Sequence, residues 1–286
     1  MLGKPNSSRA NCAAGVVYNA LAGYLVDSDI STVRLDTDAE DAYGVGPTIE
    51  KASRNNLLED VSTHMYSRAH LKSGCKIETL RTCGEEYVPY LKTQRMPETP
   101  EQLAKDCTKF KRQIACALHF HHDCTRGRSQ GAALATVAAL GENMEAVCTP
   151  GSGANTAYLA GVKCMNFVGD KLHSCFTNLK SAVQQAVFKA PAKEAIHYTC
   201  CAYHDVTECI SKALAPCHRV GSKDFLLGIM ERVVGTGLRA ACAVHTEGSD
   251  ACKALKPLQQ LGVKDVPVDS LIELLAEAAS TIGRRP

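Results

Sequence analysis

The chain has no tryptophan, and phenylalanine and tyrosine together supply only 5% of its 286 residues. The stacking platforms on which single-strand nucleic-acid binders hold bases are therefore scarce. It also lacks an excess of either charge. The 32 basic and 30 acidic residues leave a formal net charge of +2 and are mixed along the chain, so there is no strong field to draw nucleic acid or an anionic membrane. No apolar run approaches the ~20 residues that cross a bilayer. Alternating β-branched runs of strand length are nearly missing too, which points to an all-α protein with neither nucleic acid nor a membrane span among its partners.

Signatures of catalysis are equally thin. "GSGAN" at 151–155 is not a phosphate loop, which needs a following Gly-Lys-Ser/Thr, nor a nucleophile elbow, which needs Gly-x-Ser-x-Gly. In "DSDISTVRLDTDAEDAYG" the residues Asp36, Asp38 and Glu40 alternate like calcium ligands. The sixth position is Asp41 and the twelfth Pro47, where a calcium loop requires glycine and a bidentate glutamate, so a solvated acidic loop is expected. "CCAYHD" places Cys201 three residues before His204, but a cysteine nucleophile needs an activated thiolate in an accessible cleft. The expectation is a non-enzymatic protein with no cofactor.

What the chain has in abundance is cysteine, fifteen in all. A polypeptide of this length does not need cross-links to compensate for a small core, so such usage indicates passage through an oxidising compartment and a secreted, extracellular protein. The start, "MLGKPNSSRANCAAGVVYNALAGYLV", superficially mimics a signal peptide. Glycine, asparagine and tyrosine interrupt its apolar run, and a first amphipathic helix behind an added or retained Met1 is expected instead. Asn6 opens the sequon Asn6-Ser7-Ser8, a glycosylation acceptor in a secreted chain.

The cysteines are periodic. Cys107, Cys116, Cys124 and Cys148 recur as Cys200, Cys209, Cys217 and Cys242 at offsets of 93, 93, 93 and 94 residues. A further pair stands upstream of each set, Cys75 with Cys83 and Cys164 with Cys175, so each unit contains six cysteines destined for disulfides. The reading is a disulfide-stapled helical bundle with two tandem helical repeats. It divides into a helical N-terminal extension at 1–70, helical cysteine repeats at 71–150 and 151–250, and a helical C-terminal segment at 251–286. Because fifteen is odd, at least one thiol is free or bonded to another molecule. Cys12, Cys201 and Cys252 remain outside the twelve, as unpaired or intermolecular candidates, of which two could pair with each other and leave one.

Helical periodicity supports this division. Thr99, Pro100 and Gln102 form a start signal with a capping box, after which Leu103, Cys107, Phe110, Ile114, Ala117 and His121 recur at alternating spacings of four and three, the period of one buried face. The second copy supplies Ile196, Cys200, Tyr203, Thr207, Ile210 and Leu214. Residues eight or nine apart are separated by roughly 12–13 Å along a helix, beyond the ~7 Å that a disulfide tolerates between Cα atoms. Cys116 therefore cannot bond Cys107 or Cys124 within one helix, and each must reach a neighbouring element. Further helices are expected over "SQGAALATVAALGENMEAVC", over "SKDFLLGIMERVVGTGLRAAC", and from Ser270 through Leu271, Leu274, Leu275, Ala278 and Ile282.

In "CTKFKRQIACALHFHHDC" followed by "MEAVC", and in the second copy ending "LRAAC", the chain resembles secreted, helical, cysteine-rich animal proteins of the arthropod 27 kDa haemolymph glycoprotein type and similar nematode and arthropod secreted domains. The resemblance spans about residues 75–252. It implies an extracellular, non-enzymatic protein and carries over no catalytic residue.

The densest chemistry is "ALHFHHDC" at 117–124. At 100° per residue the imidazoles do not converge. His121 falls on the buried stripe, where a core histidine with one hydrogen-bond partner is expected. His119 and Asp123, four apart, can pair. His119, His122 and Asp123 form a zinc or copper ligand set only if another ligand joins them, so no metal is expected. The composition fits an extracellular interaction or self-assembling structural protein, with itself or another extracellular protein as partner through an intermolecular disulfide. The alternative is a carrier enclosing lipid or another hydrophobic small molecule.

Overall fold

The computed structural model describes residues 71–281 except 236–240, 243, 264 and 266. All described residues belong to one compact unit. The expected N-terminal extension, with Asn6, Cys12, Asp36, Asp38 and Glu40, lies outside the described residues, as does Ile282.

The architecture is an all-α, disulfide-stapled bundle. In order it comprises α1 (Ile77–Cys83), α2 (Pro100–Cys124), α3 (Gly127–Cys148), α4 (Gly153–Phe167), α5 (Gly169–Lys189) and α6 (Ala195–Ala213). A 3-10 turn (Ala215–Val220), α7 (Ser222–Met230), a π-helical turn (Glu231–Gly235), α8 (Asp250–Lys253) and α9 (Leu271–Ser280) complete it. Among the described residues there is no strand, only an isolated antiparallel bridge between Leu71 and Thr125.

Helix α2 starts where its capping chemistry dictates. The Thr99 hydroxyl accepts from the Gln102 N–H at 3.3 Å, the Gln102 side chain accepts from the Thr99 N–H at 3.3 Å, and Pro100 occupies the first turn. All six residues of its predicted stripe are buried. In the second stripe Thr207 is half-buried and the other five are buried. The second central helix is shorter than expected. It ends at Ala213, leaving Cys217 in the 3-10 turn, because Pro216 has no N–H to donate and its ring clashes with the carbonyl one turn earlier. No proline interrupts α2. The helix expected after Gly221 likewise changes to a π turn at Glu231, and the C-terminal segment is helical only in α8 and α9 among the described residues.

Seven disulfides bind these rods. Cys75–Cys124, Cys83–Cys116 and Cys107–Cys148 join the first set, and Cys164–Cys217, Cys175–Cys209 and Cys200–Cys242 the second. In both, the first cysteine meets the fifth, the second the fourth and the third the sixth. The spans match as well: 49 and 53 residues, 33 and 34, 41 and 42. Of the three candidates left outside the twelve, Cys201 and Cys252 are the two that pair, with each other. That seventh bridge has no counterpart, since Thr108 stands at the corresponding place in the first set. It fastens α8 to α6.

One hydrophobic cluster runs through both sets, with Ile114, Val137, Leu172, Phe176 and Ile210 among its buried members. Helix α9 packs on α3 and α5 and so touches an element of each. The segment between α1 and α2 is buried through Tyr87, Val88, Tyr90, Leu91 and Met96 and needs its polar groups satisfied. Asn166 on α4 does much of this. Its carbonyl oxygen accepts from the Tyr90 hydroxyl (3.0 Å) and the Met96 N–H (2.8 Å), while its amide donates to the Met96 carbonyl (2.8 Å) and Glu98 (2.9 Å). Tyr90 takes a left-handed φ of 58°, which a bulky residue seldom adopts; its carbonyl accepts from His173 Nδ1 at 2.8 Å. At Gly169 a side chain would strike the Gln94 carbonyl.

Glu85, on the same segment, caps α9. Its carboxylate accepts from the Leu271 N–H (3.1 Å), the Ile272 N–H (3.0 Å) and the Ser270 hydroxyl (3.0 Å). Burial pushes its carboxyl pKa up against the pull of these donors. Glu85→Ala leaves two helix N–H groups in an apolar setting without an acceptor. It is expected to cost about 2 kcal/mol or more in urea-induced unfolding; an unchanged midpoint would contradict the capping role.

Candidate functional site

At its exposed C-terminal end, α2 carries the His119, His122 and Asp123 group. The carboxylate is shared by two imidazoles: His119 Nε2 lies 3.0 Å from Asp123 Oδ2, and His122 Nδ1 2.7 Å from Oδ1. The first contact is the i,i+4 pair that helix geometry allows. The second, between adjacent residues, is invisible to an angular wheel because it depends on side-chain torsions. The His122 hydrogen bond, with the charges of His119, His122 and Lys72, holds the Asp123 carboxyl below the usual carboxylate range. Among the described residues no three His, Cys, Asp or Glu side chains are disposed to hold one ion.

His121 turns inward from the same turn of helix and is 3% exposed. The expected single hydrogen-bond partner is not there. Neither ring nitrogen has one among the described residues. The ring meets Phe120 edge-on at a centroid distance of 5.7 Å, and burial pushes its pKa down to about 4, so it is neutral at physiological pH. Spacing placed His121 in the core, but a periodic stripe does not reveal what stands opposite the ring.

His121 lies in the wall of a partly open cavity of about 300 Å³, together with Arg81, Gly84, Glu85, Lys92 and Ser270. The cavity lies between the end of α1, the segment after it, α2 and the start of α9. Nearby, Arg81 Nη2 is 3.6 Å from Glu273 Oε1, and burial pushes the Glu273 carboxyl pKa up. Glu273 Oε2 and Gln113 Oε1 are buried without partners among the described residues.

A second cavity, of about 40 Å³, is walled by Leu140, Phe176, Tyr203, Leu226, Val234 and Leu271 among others. It bears on the carrier alternative. An apolar cavity of about 150 Å³ is needed to hold even benzene, so this space does not accommodate a lipid chain without repacking. The cysteine doublet is consumed by structure, Cys200 bonding Cys242 and Cys201 bonding Cys252. Beside it lies a pair the sequence did not single out. His197 and His245, 48 residues apart in the chain, stack at a centroid distance of 4.1 Å and 14° between planes. Burial and the neighbouring His197 lower the pKa of His245.

No family model, curated protein or solved structure matches the chain.

The buried imidazole makes a definite prediction. Because its folded pKa, about 4, lies below the ordinary 6.5, the unfolded chain takes up a proton first, and His121 erodes stability as pH falls through that interval. His121→Leu removes both this erosion and an unsatisfied buried polar group. At pH 7 the variant is expected to be more stable by about 1–2 kcal/mol, and its advantage should widen between pH 6.5 and 4. Chemical denaturation across that range checks both; a constant difference, or a loss, would refute the reading of the site.

Proposed function

We propose that the chain is a secreted, non-enzymatic protein in which two tandem cysteine-stapled helical units present rigid faces for self-association or for holding another extracellular protein. The observation that carries this reading is the set of seven inter-element disulfides with one pairing order used twice. Such density belongs to oxidising compartments, and the repeated order is what duplication of one stapled unit would produce. No described helix is long and apolar enough to cross a membrane. In this reading the resemblance to haemolymph glycoprotein-type proteins is one of common ancestry, Asn6 carries a glycan, and the one cysteine left over by the pairing, Cys12, bonds a second molecule.

The carrier function ranks second. The wholly apolar walls of the smaller cavity favour it, and its volume of about 40 Å³ opposes it. Expression through an oxidising secretory route should give protein that runs as a disulfide-linked dimer or larger species on non-reducing gels and as monomer after reduction, with Cys12→Ser monomeric throughout. A wild type that is monomeric without reductant would overturn the intermolecular bond. Stoichiometric lipid in an organic extract would put the carrier reading first.

A further inference from the structure

The disulfides hold the described helices unequally. Helices α1 to α8 each contain a bonded cysteine or lie between two, whereas α9 lies beyond Cys252, after which the sequence has no cysteine. Helix α9 is therefore kept on α3, α5 and α6 by non-covalent contact and by the single stretch of chain that leads to it. Two gaps border its first turns. Leu271, Ile272 and Leu275 help wall the apolar one of about 40 Å³, and Ser270 and Ile272 the polar one of about 300 Å³. Glu273 Oε2 is buried without a hydrogen-bond partner among the described residues. A seat with unfilled space and an unsatisfied oxygen holds its helix less firmly than a filled one.

The connecting stretch is open to a proteinase. Residues 254–263 form neither helix nor strand, and Ala254, Lys256, Pro257, Gln259, Gln260 and Val263 are exposed. Side chains tie it down through its carbonyls. The Tyr198 hydroxyl donates to the Lys256 carbonyl at 2.8 Å, and Gln185 Nε2 to those of Leu258 and Gln259 at 3.1 and 2.8 Å. The N–H groups of Leu258, Gln259, Gln260 and Leu261 have no acceptor among the described residues. Unpaired N–H groups on an irregular stretch are free to pair with another protein's strand edge, and exposed connections of this kind are the preferred places for nicking. The disulfide network can also be parted between Cys148 and Cys164, but a nick there releases nothing. The turn at 149–152 is tied by the Ser152 N–H to the Thr149 carbonyl at 3.1 Å and by the Thr149 hydroxyl to the Glu145 carbonyl at 2.8 Å, and the two sets share one hydrophobic cluster.

We propose that residues 254–263 are a proteolytic processing site, and that a cut there releases the C-terminal segment and bares the apolar wall beneath α9. Water adds across one peptide bond, leaving a new carboxylate on the body and a new amine on the released segment. Leu255, Leu258 and Leu261 suit an endoproteinase with a hydrophobic slot for the residue before the scissile bond. While the chain is whole, α9 meets its seat at an effective concentration of the order of millimolar. Once cut it is diluted into bulk, and a helix of 10 residues has little stability of its own. Its departure uncovers Val88, Leu140, Phe176, Leu179 and Leu226, over which Leu271, Ile272 and Leu275 now close. Encounter with an extracellular proteinase rests on the secreted reading above; the cut and the release do not.

The test is limited digestion of the full-length oxidised protein with chymotrypsin at neutral pH, mapped by mass spectrometry without reduction. Within residues 71–281 the first bond cut is expected to fall in 254–263. Gel filtration at about 1 μM, where only a complex of micromolar affinity or better survives, should separate the C-terminal peptide from the disulfide-linked body. Fluorescence of 1-anilinonaphthalene-8-sulfonate should rise several-fold on separation and return to its starting value with an excess of synthetic peptide 264–286. Cys12→Ser should give the same result, so a failure of self-association leaves the test standing. The inference is overturned if the first cut in that range falls elsewhere, if the peptide stays with the body at that dilution, or if the dye signal fails to rise or is not reversed by the peptide.

Discussion

The fold depends on a rule of distance: sulfur atoms eight or nine residues apart on one helix cannot reach each other. Three cysteines on α2 are thereby turned into three outward tethers, to the segment before α1, to α1 itself and to α3. In the second set α6 and the turn after it are held in the same order by α4, α5 and the backbone at Cys242. Each bridge closes a loop of 33–53 residues. By chain-entropy reasoning a single loop of that size restricts the unfolded state by about 4 kcal/mol, and the bridges within one set, having overlapping loops, contribute less than their sum.

That tethering lets the bundle tolerate features that weaken other folds. Tyr90 sits in a left-handed conformation, a π turn interrupts the helical course after Met230, and His121 is buried without a hydrogen-bond partner among the described residues. Such features cost of order 1–3 kcal/mol each and persist where the surrounding structure over-determines them. Two of them border a cavity: the π turn contributes Val233 and Val234 to the apolar one, and His121 belongs to the polar one. Two of the local exceptions to good packing therefore coincide with gaps in the core, of about 40 and 300 Å³.

Much of this was legible in the sequence, for identifiable reasons. The start of α2 followed from Thr99, Pro100 and Gln102, and its buried stripe from periodicity, because capping and amphipathicity are local. The prohibition on bridges within a helix followed from geometry. What escaped was non-local. Which cysteines pair depends on which helices lie side by side, so Cys201 and Cys252 stayed open until their elements were placed. The stacking of His197 on His245 joins positions far apart in the chain, and the isolation of His121 is a property of the wall opposite it. The early end of α6 was readable in principle from Pro216; the 93-residue offset drew attention to the cysteines and away from the proline between them.

The central claim is that two six-cysteine units, each closed on itself, share one connectivity. It is tested most directly by proteolysis of the oxidised protein at acidic pH, where thiols do not exchange, followed by mass spectrometry of the linked peptides. The account predicts first-to-fifth, second-to-fourth and third-to-sixth linkages in both sets, plus Cys201 to Cys252. A linkage between the two sets, a different order in either, or fully reduced thiols in natively produced material would contradict it.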